Sequence, residues 1–328
     1  MPMTAIQADK PHRRCTQPAR RQRPTTGPLL HPPHPKNKSR MKRLALVTLA
    51  AVLLAPQLAR AQAADIPSAA PPTVAGTPDQ RGRALIDQMI AALGGDHWLN
   101  RTSLLADGRG TSFFRGEPNP YVSEYHEAVR YARPNATPSV TFADRVGFLT
   151  DRSMIFPGRK IDVVQITVDR KGYEVTYKGK TEPLQNLVDD SNRRRDHSID
   201  TVVRDWIHAP GVMIVFEGEK LMDRRLAEQV TVITDQNDAV TLYLDAANHL
   251  PIRRTFQWRN PQFKDFDEES ETFDDYHTIQ GIATPMTLTG YHNGDMSSQN
   301  YLTKVTYNES LDPDLFNPDA VAAKLKKK

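Results

Sequence analysis

Cysteine is almost missing from this chain. The single one, Cys15, lies upstream of every segment that patterns as folded. No internal disulfide and no thiolate metal site can therefore form in the patterned region. No cysteine follows the apolar leader described below, so the expectation is a soluble exported protein without a lipid anchor. Histidines are present but unpaired. After the leader they are His97, His126, His197, His208, His249, His277 and His292, and no two have the spacing of HExxH or HxH. Zinc has no support on this count. There is no G-x-S-x-G elbow, no P-loop and no G-x-G-x-x-G run. The sequence offers no catalytic constellation, and the expectation is a protein that is not an enzyme and needs no cofactor and no metal.

Acidic residues are nearly absent from one end. Residues 1–61 hold 12 of the 43 Lys and Arg but one of the 39 acids, so residues 62–328 carry 31 basic and 38 acidic side chains. The basic balance belongs to the leader, and the remainder is mildly acidic. A nucleic-acid partner is therefore not expected, because such proteins need net positive charge to displace counterions from phosphate. Thirteen of the 25 prolines fall in the first 80 residues, a density that opposes regular structure there.

Met41-Lys42-Arg43 followed by the apolar run Leu44–Leu54 and by Ala59-Arg60-Ala61 has the form of a signal peptide over 41–61. The run is shorter than the roughly 20 residues that span a bilayer. Residues 1–40 are then either a disordered extension or an untranslated stretch upstream of Met41. Residues 62–76 pattern as a flexible linker, residues 77–320 as the folded domain, and 321–328 as a basic tail that frays. The expected location is periplasmic.

Thr77-Pro78-Asp79-Gln80 is a capping box with proline at the first helical position. Leu85, Met89 and Leu93 recur at helical spacing until Gly94-Gly95 ends the run. The period then changes to two. Tyr173, Val175 and Tyr177 alternate with polar neighbours, as do Val240, Leu242 and Leu244, and Phe256 with Trp258. Alternation of this kind marks antiparallel strands with one buried face. About ten such segments appear, with turn clusters at 169–172 and 235–238. There is no regular βα alternation, which excludes Rossmann and TIM architectures. One further helix interrupts the strands: Ile199, Val202, Val203, Trp206 and Ile207 share a face after Ser198, and Ala209-Pro210-Gly211 stops it.

Three segments carry a resemblance. Val240–Ile252 (VTLYLDAANHLPI), Phe273–Pro285 (FDDYHTIQGIATP) and Tyr301–Pro318 (YLTKVTYNESLDPDLFNP) resemble the strand–turn–strand units of the LolA/LolB-like lipoprotein-carrier superfamily, and in particular its exported outer-membrane lipoprotein-sorting-like members. The resemblance implies a mainly β (α+β) fold: a curved antiparallel half-barrel sheet with helices covering its concave face. It implies a carrier for an acyl chain, a lipid or a lipidated protein, and it assigns no functional residue.

An open half-barrel leaves an apolar trough, and an uncovered trough is either a binding site or an aggregation hazard. A striped helix can cover it, and an acyl chain can replace that helix at about 0.8 kcal/mol per buried methylene. The expected lining is Tyr173, Val175, Leu242, Phe256 and Trp258 from the sheet, with Ile199, Val203, Trp206 and Ile207 from the covering helix. An ordinary packed core accounts for the same residues and is the commoner outcome. Two charge clusters stand out. Seven acids between Asp265 and Asp275 could hold calcium but read more readily as a solvated loop entering an edge strand. Arg193-Arg194-Arg195 could grip an anion but reads more readily as an exposed loop. The partner expected is a lipid or lipidated protein, with transient contact to another envelope protein, and the chain is expected to be a monomer. The competing functions are an envelope sensor or scaffold domain and, less supported, an envelope hydrolase.

Overall fold

Thr77 caps the first helix as its spacing predicts. Its hydroxyl accepts from the Gln80 amide at 3.3 Å, and the Gln80 side chain accepts from the Thr77 amide at 3.1 Å. Helix α1 (Pro78–Leu93) then runs to Gly94, whose φ of 124° suits glycine. The computed structural model describes residues 76–131, 150–158, 161–260 and 262–327, all within one compact unit spanning 69–328. The leader at 41–61, the stretch before it and the linker up to residue 75 lie outside the described residues.

A short helix α2 (Asp96–Leu99) follows, and then the sheet begins. Its first part is β1 (Ser103–Phe114), β2 (Glu117–Pro118), β3 (Ser123–Tyr131), β4 (Thr150–Phe156), β5 (Val163–Val168), β6 (Lys171–Thr176) and β7 (Gly179–Thr181). A helical interlude holds α3 (Gln185–Asp196), α4 (Ile199–Arg204) and a 3₁₀ turn at Trp206–His208. Seven more strands follow: β8 (Met213–Met222), β9 (Arg225–Ile233), β10 (Ala239–Asp245), β11 (Pro251–Arg259), β12 (Phe266–Ile279), β13 (Ile282–His292) and β14 (Asp295–Tyr307). A 3₁₀ turn at Pro313–Phe316 leads into α5 (Pro318–Lys326).

All 14 strands join one open antiparallel sheet. Its order is β7-β6-β5-β4-β3-β1-β14-β13-β12-β11-β10-β9-β8, with β2 attached to β1. The central pairing is β1 against β14, which brings Ala106 opposite Val305 and joins the first and last strands of the described residues in the middle of the sheet. Among the described residues the sheet does not close on itself, so the fold is a half-barrel with helices against it, as the resemblance implies; the alternating periods imply only its antiparallel strands. No helix among the described residues is long and apolar enough to cross a membrane.

The two faces of the sheet are covered by different helices. On the inner face of β8–β14, α1 and the α4 segment form one core with Val230, Leu242, Leu244 and Phe256. Helix α1 lies so close to edge strand β8 that a Cβ on Gly82 would meet the Ile214 carbonyl oxygen at 2.5 Å. Glycine there lets the helix shield a strand edge that would otherwise be open to pairing. On the outer face of the other half, α5 packs Val321 and Ala322 against Val164, Ile166 and Val175. Lys324, expected in a frayed tail, is helical and bonds Asp312 at 3.0 Å.

Two expectations are corrected. The three arginines at 193–195 are not an exposed loop but the last turn of α3, where positive charge opposes the helix dipole. Arg193 pairs with Asp190 at 2.7 Å, and Arg194 with Glu269 at 3.0 Å. The acidic run at 265–275 is not a loop before an edge strand but interior strand β12, between β11 and β13. Its carboxylates take partners on neighbouring strands and on α3: Glu271 pairs with Arg254, Glu269 with Arg194, and Asp267 accepts from Asn260 and Asn293. Cross-strand pairing lets a charge-dense segment sit inside a sheet.

The middle helical segment is part of the core. Val202 is fully buried and Trp206 is 5 % exposed. Replacing Trp206 with Ala should cost about 3–5 kcal/mol in urea unfolding, the range for emptying a packed site. A loss below about 1 kcal/mol would show instead that this segment detaches freely from the sheet.

Candidate functional site

A cavity of about 410 Å³ lies on the inner face at the centre of the sheet, beside the first turn of α4. Strand alternation builds it. From β3, every second residue points inward: Tyr125, Glu127, Val129 and Tyr131. The sheet side also includes Leu104 and Ala106 of β1, Arg152 of β4, Glu271, Phe273 and Tyr276 of β12, Thr284 and Leu288 of β13, and Asn300, Leu302 and Tyr307 of β14. Ser198, Ile199 and Asp200 close the helical side, with Leu93, Trp98 and Arg101 at one end. Gly108, which pairs with Tyr125, makes room for that ring: a Cβ there would lie 2.4 Å from the tyrosine ring. The lining is divided between apolar side chains and charged or hydroxyl-bearing ones.

Arg101 dominates the polar end. It is 5 % exposed. One terminal nitrogen donates to both Asp200 oxygens at 2.6 and 2.7 Å, and the other donates to the Trp98 carbonyl at 2.5 Å. The guanidinium lies 4.4 Å from the Trp98 ring centre and 4.5 Å from that of Tyr131. Burial opposes its charge, but Asp200 and then Tyr131 more than offset this, so its pKa stays above the ordinary value. Arg204, one turn along α4, also reaches Asp200 at 3.3 Å and donates to the Leu99 carbonyl at 2.7 Å. Burial holds Arg204 below its ordinary value, with Asp200 compensating only in part. Two guanidiniums thus share one carboxylate, and α4 is tied to the α2–β1 junction through Asp200.

The other polar groups are also engaged. Arg152 donates to Glu127, and the Thr284 and Tyr307 hydroxyls bond at 2.9 Å. Tyr276 donates to the Pro251 carbonyl at 2.7 Å, and burial pushes its pKa up. Burial also raises Tyr125 and Tyr131 to about 12 each; for Tyr125 the Glu127 charge adds to this, and for Tyr131 the Arg101 charge opposes it. No histidine is among the described lining residues, so none of these hydroxyls has an imidazole base beside it. Among the described residues, no three His, Cys, Asp or Glu side chains converge as a metal site would require.

Of the nine side chains expected to line a hollow, the structure gathers seven. Val203, Trp206, Ile207, Leu242 and Phe256 are buried together, with Ile199 and Trp258 packed against them. They fill that part of the inner face rather than line an opening, and only Ile199 also reaches the cavity. Tyr173 and Val175 lie on the opposite face of the sheet, in the cluster beneath α5. His197 packs against Phe256: its ring stacks on Phe256 at 4.2 Å and meets Trp206 edge-on at 5.4 Å. The His197 ring also bonds Asp238 at 2.9 Å and the Arg193 carbonyl at 2.7 Å. Arg254 donates to the Arg194 and His197 carbonyls, closing the C-terminal end of α3.

The residues that sequence reasoning missed are Tyr125, Glu127 and Tyr131, with the Arg101–Asp200 pair. The alternation Tyr125-Glu127-Val129-Tyr131 was a usable signal, since it places a carboxylate on an otherwise apolar parity. Arg101 and Asp200 are 99 positions apart and carry no such signal.

No family model matches the chain. No curated protein matches it either. Solved structures are similar in fold. A DUF1329 family protein from Desulfovibrio piger is 9% identical, covering 74% of this chain and 98% of that one, with a TM-score of 0.48. A putative outer membrane lipoprotein-sorting protein domain from Vibrio parahaemolyticus is 11% identical, covering 74% and 99%, with a TM-score of 0.45. A LolA superfamily protein from Nitrosomonas europaea is 9% identical, covering 75% and 99%, with a TM-score of 0.41. The likeness is one of fold and reaches no residue or ligand.

Two outcomes follow from the polar end. Asp200→Asn should destabilise the protein by about 3–5 kcal/mol in urea, because it strands a buried guanidinium. Arg101→Met combined with Asp200→Leu should recover only part of that loss, because Arg204 also gives up its bond to Asp200. Alkaline pH should act through Tyr125 and Tyr131. Unfolded tyrosine ionises near 10, whereas these two hold their protons to about 12 when folded. Their contribution is therefore complete below about pH 10 and is lost as pH climbs from there through about 12. The urea midpoint should fall over that window, and less steeply in Tyr125→Phe. Equal slopes in the two proteins would rule this out.

Proposed function

We propose that this protein is an exported, periplasmic binding or carrier protein that holds a small amphipathic ligand, an acyl chain with a polar head, in its central cavity. The observation that carries the proposal is the cavity of about 410 Å³, whose lining mixes apolar side chains with charged and hydroxyl-bearing ones. Leu104, Phe273, Leu288 and Leu302 offer the surface on which an acyl chain gains about 0.8 kcal/mol per methylene. Arg101, Asn300 and the tyrosine hydroxyls offer partners to a head group. The filled core behind Phe256 moves the ligand away from the α4–Trp206 face and towards β3, β1 and β14. Export by the 41–61 leader, a monomeric state and delivery to a lipidated or envelope-protein partner belong to the same proposal. In this reading the protein binds without chemistry, since each charged group in the cavity is held by a counter-charge.

Purified protein should carry co-extracted lipid in native mass spectrometry and take up a fluorescent fatty-acid probe. Leu302→Trp should fill the cavity and reduce probe uptake about tenfold or more while the fold persists by circular dichroism. An unliganded mass together with no probe uptake would reject the proposal. Equal uptake by folded Leu302→Trp would reject this cavity as the site.

A further inference from the structure

The outer face of the sheet carries a second recess, separate from the central cavity. It has a volume of about 250 Å³. Its floor comes from the outward parity of β11–β14, including Arg253, Thr287 and Tyr291. One wall is the β8–β9 turn, which brings Asp223 and Arg225 across to β12. Such a recess is unusual for the water-facing side of an antiparallel sheet, which ordinarily presents a flat polar surface.

We infer that this recess is a binding site for one ring of a neutral saccharide. The first ground is charge. Arg225 and Arg253 are balanced by Asp223 and Asp274, so the lining has no net sign and favours neither an anion nor a cation. The second ground is the kind of polar group present. Guanidinium and amide N–H groups donate, carboxylates accept, and the hydroxyls of Thr287 and Thr289 do both. A sugar hydroxyl needs a donor and an acceptor at once, and this lining supplies both within one small volume. The third ground is Arg253 itself. It donates to the Ser270 hydroxyl at 2.7 Å and lies over the Tyr291 ring at 5.5 Å, but its buried Nε has no acceptor. A small shift of that side chain towards an incoming hydroxyl would satisfy it, and burying such a donor without a partner is unfavourable. The fourth ground is size. The volume falls below the roughly 300–1,000 Å³ of sites for larger ligands, and the apolar part of the lining, Ile252, Phe273 and Tyr291, suits the C–H face of one ring.

The test uses the purified full chain, isotope-labelled for NMR and titrated with glucose and with N-acetylglucosamine. At least one of the two should shift the amides of Thr287, Thr289, Tyr291 and Gln299 saturably, with a Kd at or tighter than about 10 mM. Arg253→Met should weaken binding about tenfold or more. Thr287→Val is isosteric and half-buried, so it should fold normally and still weaken binding several-fold. Fatty-acid probe uptake should be unchanged in both variants, because the central cavity opens on the other face. Shifts that do not saturate, or that map to the central cavity, would overturn the inference. So would undiminished binding in Thr287→Val, or sodium sulfate binding at the same amides more tightly than either sugar.

Discussion

A guanidinium withdrawn from water must have its counter-charge built into the fold, and in this protein that requirement fixes the middle helix. Arg101 is buried at the α2–β1 junction, and its carboxylate comes from Asp200 in the first turn of α4. Arg254 is buried in β11, and it holds the carbonyls at the end of α3 while pairing with Glu271 of β12. Removing either partner of such a pair leaves an uncompensated charge at a cost of several kcal/mol. The α3–α4 segment is thereby tied at two points to two parts of the sheet far apart in sequence. Apolar packing of Val202, Val203 and Trp206 then fills the space between those ties.

The ties also explain why space remains where it does. The helical segment is drawn onto β9, β10 and β11 by its apolar stripe and held at its start by Arg101. Among the described residues, no helix is drawn in the same way onto β3, β1 and β14 on that face, where Tyr125, Glu127 and Asn300 point inward. Inward charges on those strands are matched by neighbours rather than by a covering helix, as Glu127 is by Arg152. Among the described residues, a cavity with mixed lining is left on this inner face, and it is the space assigned to the proposed ligand. On the other side of the same half of the sheet, α5 uses the available apolar surface of β5 and β6. The first half of the sheet is therefore greasy outside and mixed inside, and the second half is greasy inside.

Much of the fold was legible from periodicity. The capping box at Thr77, the stop at Gly94, the alternation through Val240–Leu244 and the striped run at Ile199–Ile207 all correspond to observed elements, because each reflects interactions within a few residues. The half-barrel itself was implied by the resemblance of three segments, 240–252, 273–285 and 301–318, and not by those local periods. The charge-rich segments were less legible. Arg193-Arg194-Arg195 and the acids of 265–275 look like solvated loops by composition, since isolated charges favour water. Their partners lie on other strands or helices, such as Glu269 for Arg194, and no short-range pattern encodes that.

The candidate site divides along the same line. Sequence alone showed that strands alternate, that an apolar helix lies among them, and that the chain has no P-loop or HExxH motif and no cysteine besides Cys15, because these depend on residue type and near spacing. Which parity faces which helix was decided only by tertiary structure. Tyr173, Val175, Leu242 and Phe256 have indistinguishable local patterns, yet the first two pack under α5 and the last two under α4. The physical reason is that a strand's alternation defines two faces without saying which is inside. That choice is made by strand order, by the β1–β14 pairing across the whole chain, and by the helices available to cover each side.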